Sequence, residues 1–264
     1  MSETVTISSL KTLLSFPFQG SKWQNKFLIG SLFTIGGFFI PIIPLLFVAG
    51  YGLQIMRQTI QGDQLELPEW NDWGKLALDG IRMMGIGFLF LLPGMLVMLG
   101  GYVLYFTSSF AIPLMTAFNQ DSSGPSAAFP LFILLAMGIF FLSMLVGFLL
   151  YALGGIPLPA ATAHFVAKDQ FAAAFRVREW WPMLRANKLG YLIAFVVVFG
   201  LFGILYFGIT IAYLSIILCV FIPLLAAPIS FYLALISAAL FGQTYRESQE
   251  LLAPAGAEIE PAAA

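Results

Sequence analysis

The chain has 264 residues, 60% of them hydrophobic and only 9% charged, with a mean hydropathy of +0.93 and a formal net charge of -1. A soluble domain carries roughly a quarter charged residues and needs a large wetted surface at this size, so this surface must face lipid. The near-zero charge excludes the concentrated basic field that nucleic acid requires.

The single cysteine, Cys219, lies in the apolar run LCVF, which rules out an internal disulfide. At the N-terminus, Lys11, Lys22 and Lys26 precede the first apolar stretch, and no small-residue cleavage site closes a short apolar core. The first hydrophobic element is therefore expected to be retained. Residues 1–26 read as a cytoplasmic or interfacial segment, 27–245 as one helical transmembrane domain, and 246–264 as a loose, acidic, Ala/Pro-rich tail.

Four stretches lack Asp, Glu, Lys and Arg: 27–56, 83–120, 122–167 and 189–245. Each exceeds the roughly 20 residues that cross a bilayer. Lys and Arg occur only at 11, 22, 26, 57, 75, 82, 168, 176, 178, 185, 188 and 246. If 27–60 crosses twice, turning at FFIPIIP, and 81–166 and 189–243 each run out and back, every one of these bases falls on one side. That satisfies the positive-inside bias with both termini cytoplasmic. The expected fold is all-α and integral to a membrane, with six transmembrane helices in three hairpins. Parity alone also fits eight. The first pair, 25–42 and 43–60, is short for full crossings.

Prolines 41, 44, 93, 113, 157, 159, 223 and 228 punctuate the apolar runs and predict packed kinks. No two glycines lie four apart within those runs, so a strict GxxxG face is absent. Gly190 with Ala194 and Gly208 with Ala212 are weaker small-residue pairs. Residues 15–30 loosely echo 174–190, and 38–62 echo 220–248, as two copies of a unit: interfacial segment, span, proline turn, span.

Residues 67–74 read LPEWNDWG. Pro68 suits a first helical turn, and Glu69 would then lie at the favourable positive end of the dipole. Trp70, Trp73 and Ala77 share one helical face, and Asp72, Lys75 and Asp79 mark the other. The spacing predicts an interfacial helix near 67–79 with its tryptophans at headgroup level. Glu69 and Asp72 could approach each other, but two carboxylates alone make no structural zinc site. A second amphipathic element is expected near 168–181, capped by Asp169 and ended or bent by Pro182. There Arg176, Arg178, Trp180 and Trp181 would meet anionic headgroups or form an ordinary basic loop. Trp70, Trp73, Glu69, Asp72, Arg176, Arg178, Trp180 and Trp181 are thus candidate interface or partner-binding residues. The only histidine, His164, sits near a span end with no carboxylate in register, and is read as structural.

No HExxH pair, Walker loop, GxSxG elbow or CxxC is present, and no acid or base lies deep within a proposed span. No catalytic, metal or cofactor-binding residue is assigned, and no cofactor is expected. At LPEWNDWGKLALDG the chain resembles the prokaryotic membrane proteins grouped as domain of unknown function 4013. The likeness extends to FPFQGSKW, GYGLQIMRQTIQGDQLELPEW, FAAAFRVREWWPMLRANKLGYL and LFGQTYRE, about 8–248 in all. It implies an integral protein of a prokaryotic membrane and carries no established activity or site residues. The reading that fits best is a non-enzymatic membrane scaffold or accessory protein, presenting amphipathic cytoplasmic segments to membrane lipid or a protein partner. A transporter for a weakly polar or lipidic substrate is the first alternative, and an intramembrane lipid-acting enzyme the second. Oligomeric state is left open.

Overall fold

The computed structural model describes residues 12–111, 114, 118 and 129–253. Their regular structure is helical, with no strand among the described residues. The helices are α1 (Trp23–Phe39), α2 (Ile43–Gln61), α3 (Trp73–Phe106), α4 (Phe129–Gly155), α5 (Leu158–Lys168), α6 (Val177–Ala186), α7 (Lys188–Tyr213) and α8 (Ile216–Leu252). Short 3₁₀ turns lie at Phe16–Phe18 and Phe171–Phe175, and a π-turn extends α3 over Thr107–Ala111. Four helical segments are long and apolar enough to cross a membrane: Trp73–Phe110, Pro130–Lys168, Lys188–Tyr213 and Phe221–Leu252. The chain is therefore read as a membrane protein. Helices α1 and α2, of 17 and 19 residues, fall outside that set.

The local chemistry explains where helices start and stop. Pro44 occupies the first turn of α2, where a missing N–H costs nothing. Gly62 ends α2 in the left-handed region, φ 76°, which lacks a steric penalty only for glycine. Asp72 Oδ1 accepts the Lys75 backbone N–H at 3.0 Å and opens α3. Asn187 Oδ1 accepts the Gly190 N–H at 3.0 Å and opens α7.

The described chain divides into two compact units. The first holds everything up to Gly85 and from Pro159 onward. Its centre is α8, which packs on α1, α2, α6 and α7. Phe231, Leu235, Ile236, Ala239 and Leu240 of α8 are buried, as are Tyr51, Leu53, Ile55 and Met56 of α2. Residues 160–166 of α5 are buried without a break. Where α2 meets α3, the backbones themselves touch. A Cβ on Gly50 would strike the Leu76 carbonyl, and one on Gly80 would strike that of Leu46. The reciprocal pairing of 46 and 50 with 80 and 76 makes the two helices antiparallel there, with glycine required on both.

The second unit, Ile86–Leu158, contains no Lys or Arg. Its part of α3 packs on α4 through small residues. A Cβ on Gly94 would meet the Gly147 carbonyl at 2.6 Å, one on Gly101 would overlap Ser143, and one on Gly154 would overlap the Phe90 carbonyl. Gly94 and Gly101 lie seven apart, as do Gly147 and Gly154. Small-residue contact at a seven-residue period is the spacing that keeps one seam facing a partner helix. The four-residue GxxxG search misses it.

Candidate functional site

The first unit gathers its polar groups into three clusters, one of them built by the LPEWNDWG stretch. Residues 63–72 are not helical, and α3 starts at Trp73. The helix expected from 67 is replaced by an extended latch, and its hydrogen bonds show why. Lys26 Nζ donates to the Leu67 carbonyl at 2.8 Å and pairs with Glu69 at 3.0 Å. Tyr51 OH donates to the Pro68 carbonyl at 2.9 Å, and Trp70 Nε1 donates to the Lys26 carbonyl at 2.9 Å. Carbonyls that a helix would use internally are taken instead by side chains of α1 and α2. The Trp70 ring is sandwiched between Tyr51, at 4.2 Å and 10°, and Phe33, at 5.5 Å and 5°. It is 8% exposed, so it packs inside the protein rather than at headgroup level. Trp73, 42% exposed, leans on Phe33 and Phe47 at the start of α3. Glu69 and Asp72 are not brought together: Glu69 serves Lys26, and Asp72 caps α3.

The second cluster surrounds Asp79, whose side chain is almost fully buried. Arg57 Nη1 lies 3.5 Å from Asp79 Oδ2, an ion-pair distance without a formed hydrogen bond, and Arg82 lies 3.7 Å from Oδ1. Arg57 also bonds Asp169 at 3.2 Å. Asp169 was expected to cap a helix. It instead adopts φ 50°, a left-handed conformation that Asp tolerates, and ties the turn after α5 to α2.

The third cluster is centred on His164. Its Nε2 lies 2.9 Å from Glu179 Oε2, and its Nδ1 lies 2.7 Å from Tyr245 OH. A carboxylate only accepts, so Nε2–H donates to Glu179, and Nδ1 can then accept from the Tyr245 hydroxyl. One neutral tautomer satisfies both bonds. The carboxylate partner missing from the local sequence is supplied by α6, fifteen residues on, and the hydroxyl by α8. The His164 hydrogen bond, aided by Arg176 at 3.4 Å, holds the Glu179 carboxyl below its ordinary range. Tyr–His–Glu is the geometry of a proton relay, but His164 and Tyr245 are buried. The arrangement therefore fastens α5, α6 and α8 together.

The segment leading into α7 carries the remaining candidates. Trp180 is buried at 2% exposure, with its Nε1 donating to the Ala174 carbonyl at 2.9 Å, so it too packs inward. Trp181 is 40% exposed, with the Arg185 guanidinium 5.2 Å over its ring. Arg176 reaches Glu179 and Gln170, and Arg178 is exposed. Among the described residues, no group of three His, Cys, Asp or Glu is placed to hold a metal.

A family model described as "Protein of unknown function (DUF4013)" matches residues 33–214. The chain belongs to this family. No curated protein and no solved structure matches it. The DUF4013 match takes in Phe33, Tyr51, Trp70, Asp79, His164 and Glu179, and stops just after α7. It is shorter than the likeness read from the sequence. FPFQGSKW and LFGQTYRE lie outside it, and with them Lys26, Phe231 and Tyr245. The DUF4013 segment thus holds one side of the Trp70 latch and of the His164 lock, and flanking α1 and α8 residues complete both.

Proposed function

We propose that the protein is a non-enzymatic membrane scaffold or accessory protein of a prokaryotic cytoplasmic membrane, whose cytoplasmic face presents residues 168–188 to anionic lipid headgroups and to a protein partner. One observation carries this reading. The two acids of that segment are already paired within the protein, Asp169 with Arg57 and Glu179 with His164. Lys168, Arg178, Arg185 and Lys188 are exposed, Arg185 over the Trp181 ring, and among the described residues none lies within 4 Å of a carboxylate. A basic, aromatic helix between two membrane-helix ends meets anionic headgroups favourably, each base near the surface contributing about 1 kcal/mol.

The topology that accompanies this reading has six spans in three hairpins with both termini cytoplasmic. At 1.5 Å per residue, α1 and α2 are about 26 and 28 Å long, close to the hydrocarbon thickness of roughly 30 Å. The exposed apolar link between them, with Phe39, Ile40 and Ile42 outward, fits a turn at or short of the far surface. The proposal is tested by gentle detergent purification of the full chain and of Arg178→Glu/Arg185→Glu. The doubly reversed variant is expected to stay monodisperse while losing co-purifying anionic lipid and protein. Unchanged co-purification would overturn the proposal.

An apolar groove of about 490 Å³ between α7 and α8 favours a second reading, passage or holding of a lipidic substrate. It is lined by Leu201, Ile204, Ile209, Leu225, Ile229 and Leu233, near Pro223 and Pro228, which lie inside the continuous α8.

A further inference from the structure

The last turns of α2 carry a polar stripe on an otherwise apolar helix. Gln54, Gln58 and Gln61 recur at the i, i+4, i+7 spacing of one face, with Arg57 beside them. They line a pocket of about 200 Å³, closed by Pro68 and Lys75. The latch fixes its wall, because Tyr51 holds the Pro68 carbonyl and the Asp72 cap holds the backbone of Lys75.

Three features define what such a pocket would accept. Gln58 is half-buried and its Oε1 meets no donor, and a turn of the amide toward the pocket would give that oxygen a ligand hydroxyl or amine. Arg57 is already balanced by Asp79 and Asp169, which leaves Lys75, without a carboxylate within 4 Å among the described residues, as the unbalanced charge. The side-chain amides of Gln54 and Gln61 offer both donors and acceptors. At about 200 Å³ the open pocket suits a small polar group rather than a whole nucleotide or an acyl chain. An anionic phosphoester that also carries a hydroxyl fits all three.

We propose that the pocket lined by Gln54, Gln58, Gln61, Arg57 and Lys75 binds a hydroxylated phosphoester of glycerol-phosphate type, its phosphate on Lys75 and its hydroxyl on Gln58. This chemistry has two sources, a phosphatidylglycerol headgroup and a soluble glycerol phosphate. The site touches residues 168–188 only through the Arg57–Asp169 pair, uses none of their exposed bases and does not depend on the function proposed for them.

The test uses the full chain in phosphatidylcholine nanodiscs. One series is doped with phosphatidylglycerol, a second with phosphatidylmethanol, which has the same charge and no hydroxyl, and a third receives glycerol 1-phosphate in solution. Thermal unfolding and native mass spectrometry read binding. Retention of phosphatidylglycerol over phosphatidylmethanol supports the lipid source. Stabilisation by glycerol 1-phosphate alone supports the soluble one. Lys75→Ala and Gln58→Leu should each weaken binding about tenfold, the loss expected for one hydrogen bond to a charged or buried group. Gln61→Ala, at an exposed position, should weaken it less and guards against a folding defect in Gln58→Leu. Arg178→Glu/Arg185→Glu should leave the headgroup preference unchanged, which separates this site from the basic face. Equal retention of the two lipids together with no response to glycerol 1-phosphate would overturn the proposal.

Discussion

Trp70→Ala should be the most damaging single change in the latch. The Trp70 ring stacks on Tyr51 at 4.2 Å and on Phe33 at 5.5 Å, and its N–H satisfies the Lys26 carbonyl. Each aromatic pair contributes about 0.5–1.5 kcal/mol and the hydrogen bond about 1 kcal/mol. Adding the cavity brings the loss to roughly 3–5 kcal/mol, the usual cost of truncating a buried tryptophan. Trp70→Phe keeps the stack and loses only the donor, so about 1 kcal/mol is expected. Trp73→Ala removes a 42% exposed ring with no hydrogen bond among the described residues and should also cost about 1 kcal/mol. In detergent, each kcal/mol should lower the unfolding midpoint by about 2–4 °C at this chain length. Trp70→Ala should therefore drop it by roughly 10 °C, and the other two by a few degrees. Equal effects of Trp70→Ala and Trp73→Ala would refute the latch, since an interfacial anchor would use both rings alike.

Three further outcomes are expected. Glu179 has a depressed folded-state pKa, so its bond to His164 stabilises the protein above the unfolded carboxyl's range, about 4.3, and that contribution is lost as pH falls through the folded value. Glu179→Gln should lower the unfolding midpoint at neutral pH and flatten its decline in acid; an unchanged acid limb would count against the lock. Arg57→Ala leaves buried Asp79 with Arg82 alone, at 3.7 Å, and should cost up to about 3–5 kcal/mol, and much of that loss should be recovered in Arg57→Ala/Asp79→Ala, as a double-mutant cycle of unfolding midpoints would read. Gly50→Val or Gly80→Val should abolish a monodisperse fold in size-exclusion chromatography, whereas Gly100→Ala, with nothing within 4 Å of its added Cβ, should be neutral or stabilise by about 0.5–1 kcal/mol.

Much of the helical frame was legible because its signals are local. The apolar stretches, Pro44 at a helix start and Gly62 at an end all act within a few residues, and the break between α1 and α2 falls at the IPI of residues 40–42. The site was less legible because tertiary contacts build it. Helical spacing put Trp70 and Trp73 on one face, but Lys26 and Tyr51 draw the Leu67 and Pro68 carbonyls out of any helix. His164 looked isolated because its partners lie 15 and 81 residues away. Gln54 is a single polar residue in an apolar stretch of sequence, and only the fold sets Gln58, Gln61 and Lys75 around one pocket with it. The glycine seam was within reach, since Gly94 with Gly101 and Gly147 with Gly154 repeat at seven residues rather than four.

The account as a whole depends on the basic side chains sharing one aqueous compartment. Single cysteines at Lys22, Asp63, Gln170 and Glu250, on a Cys219→Ser background, test this with a membrane-impermeant thiol reagent on intact cells and on inverted vesicles. All four should react only in the inverted vesicles. Reaction of Lys22→Cys and Asp63→Cys from opposite faces would leave α1 and α2 making a single crossing between them and would contradict the account.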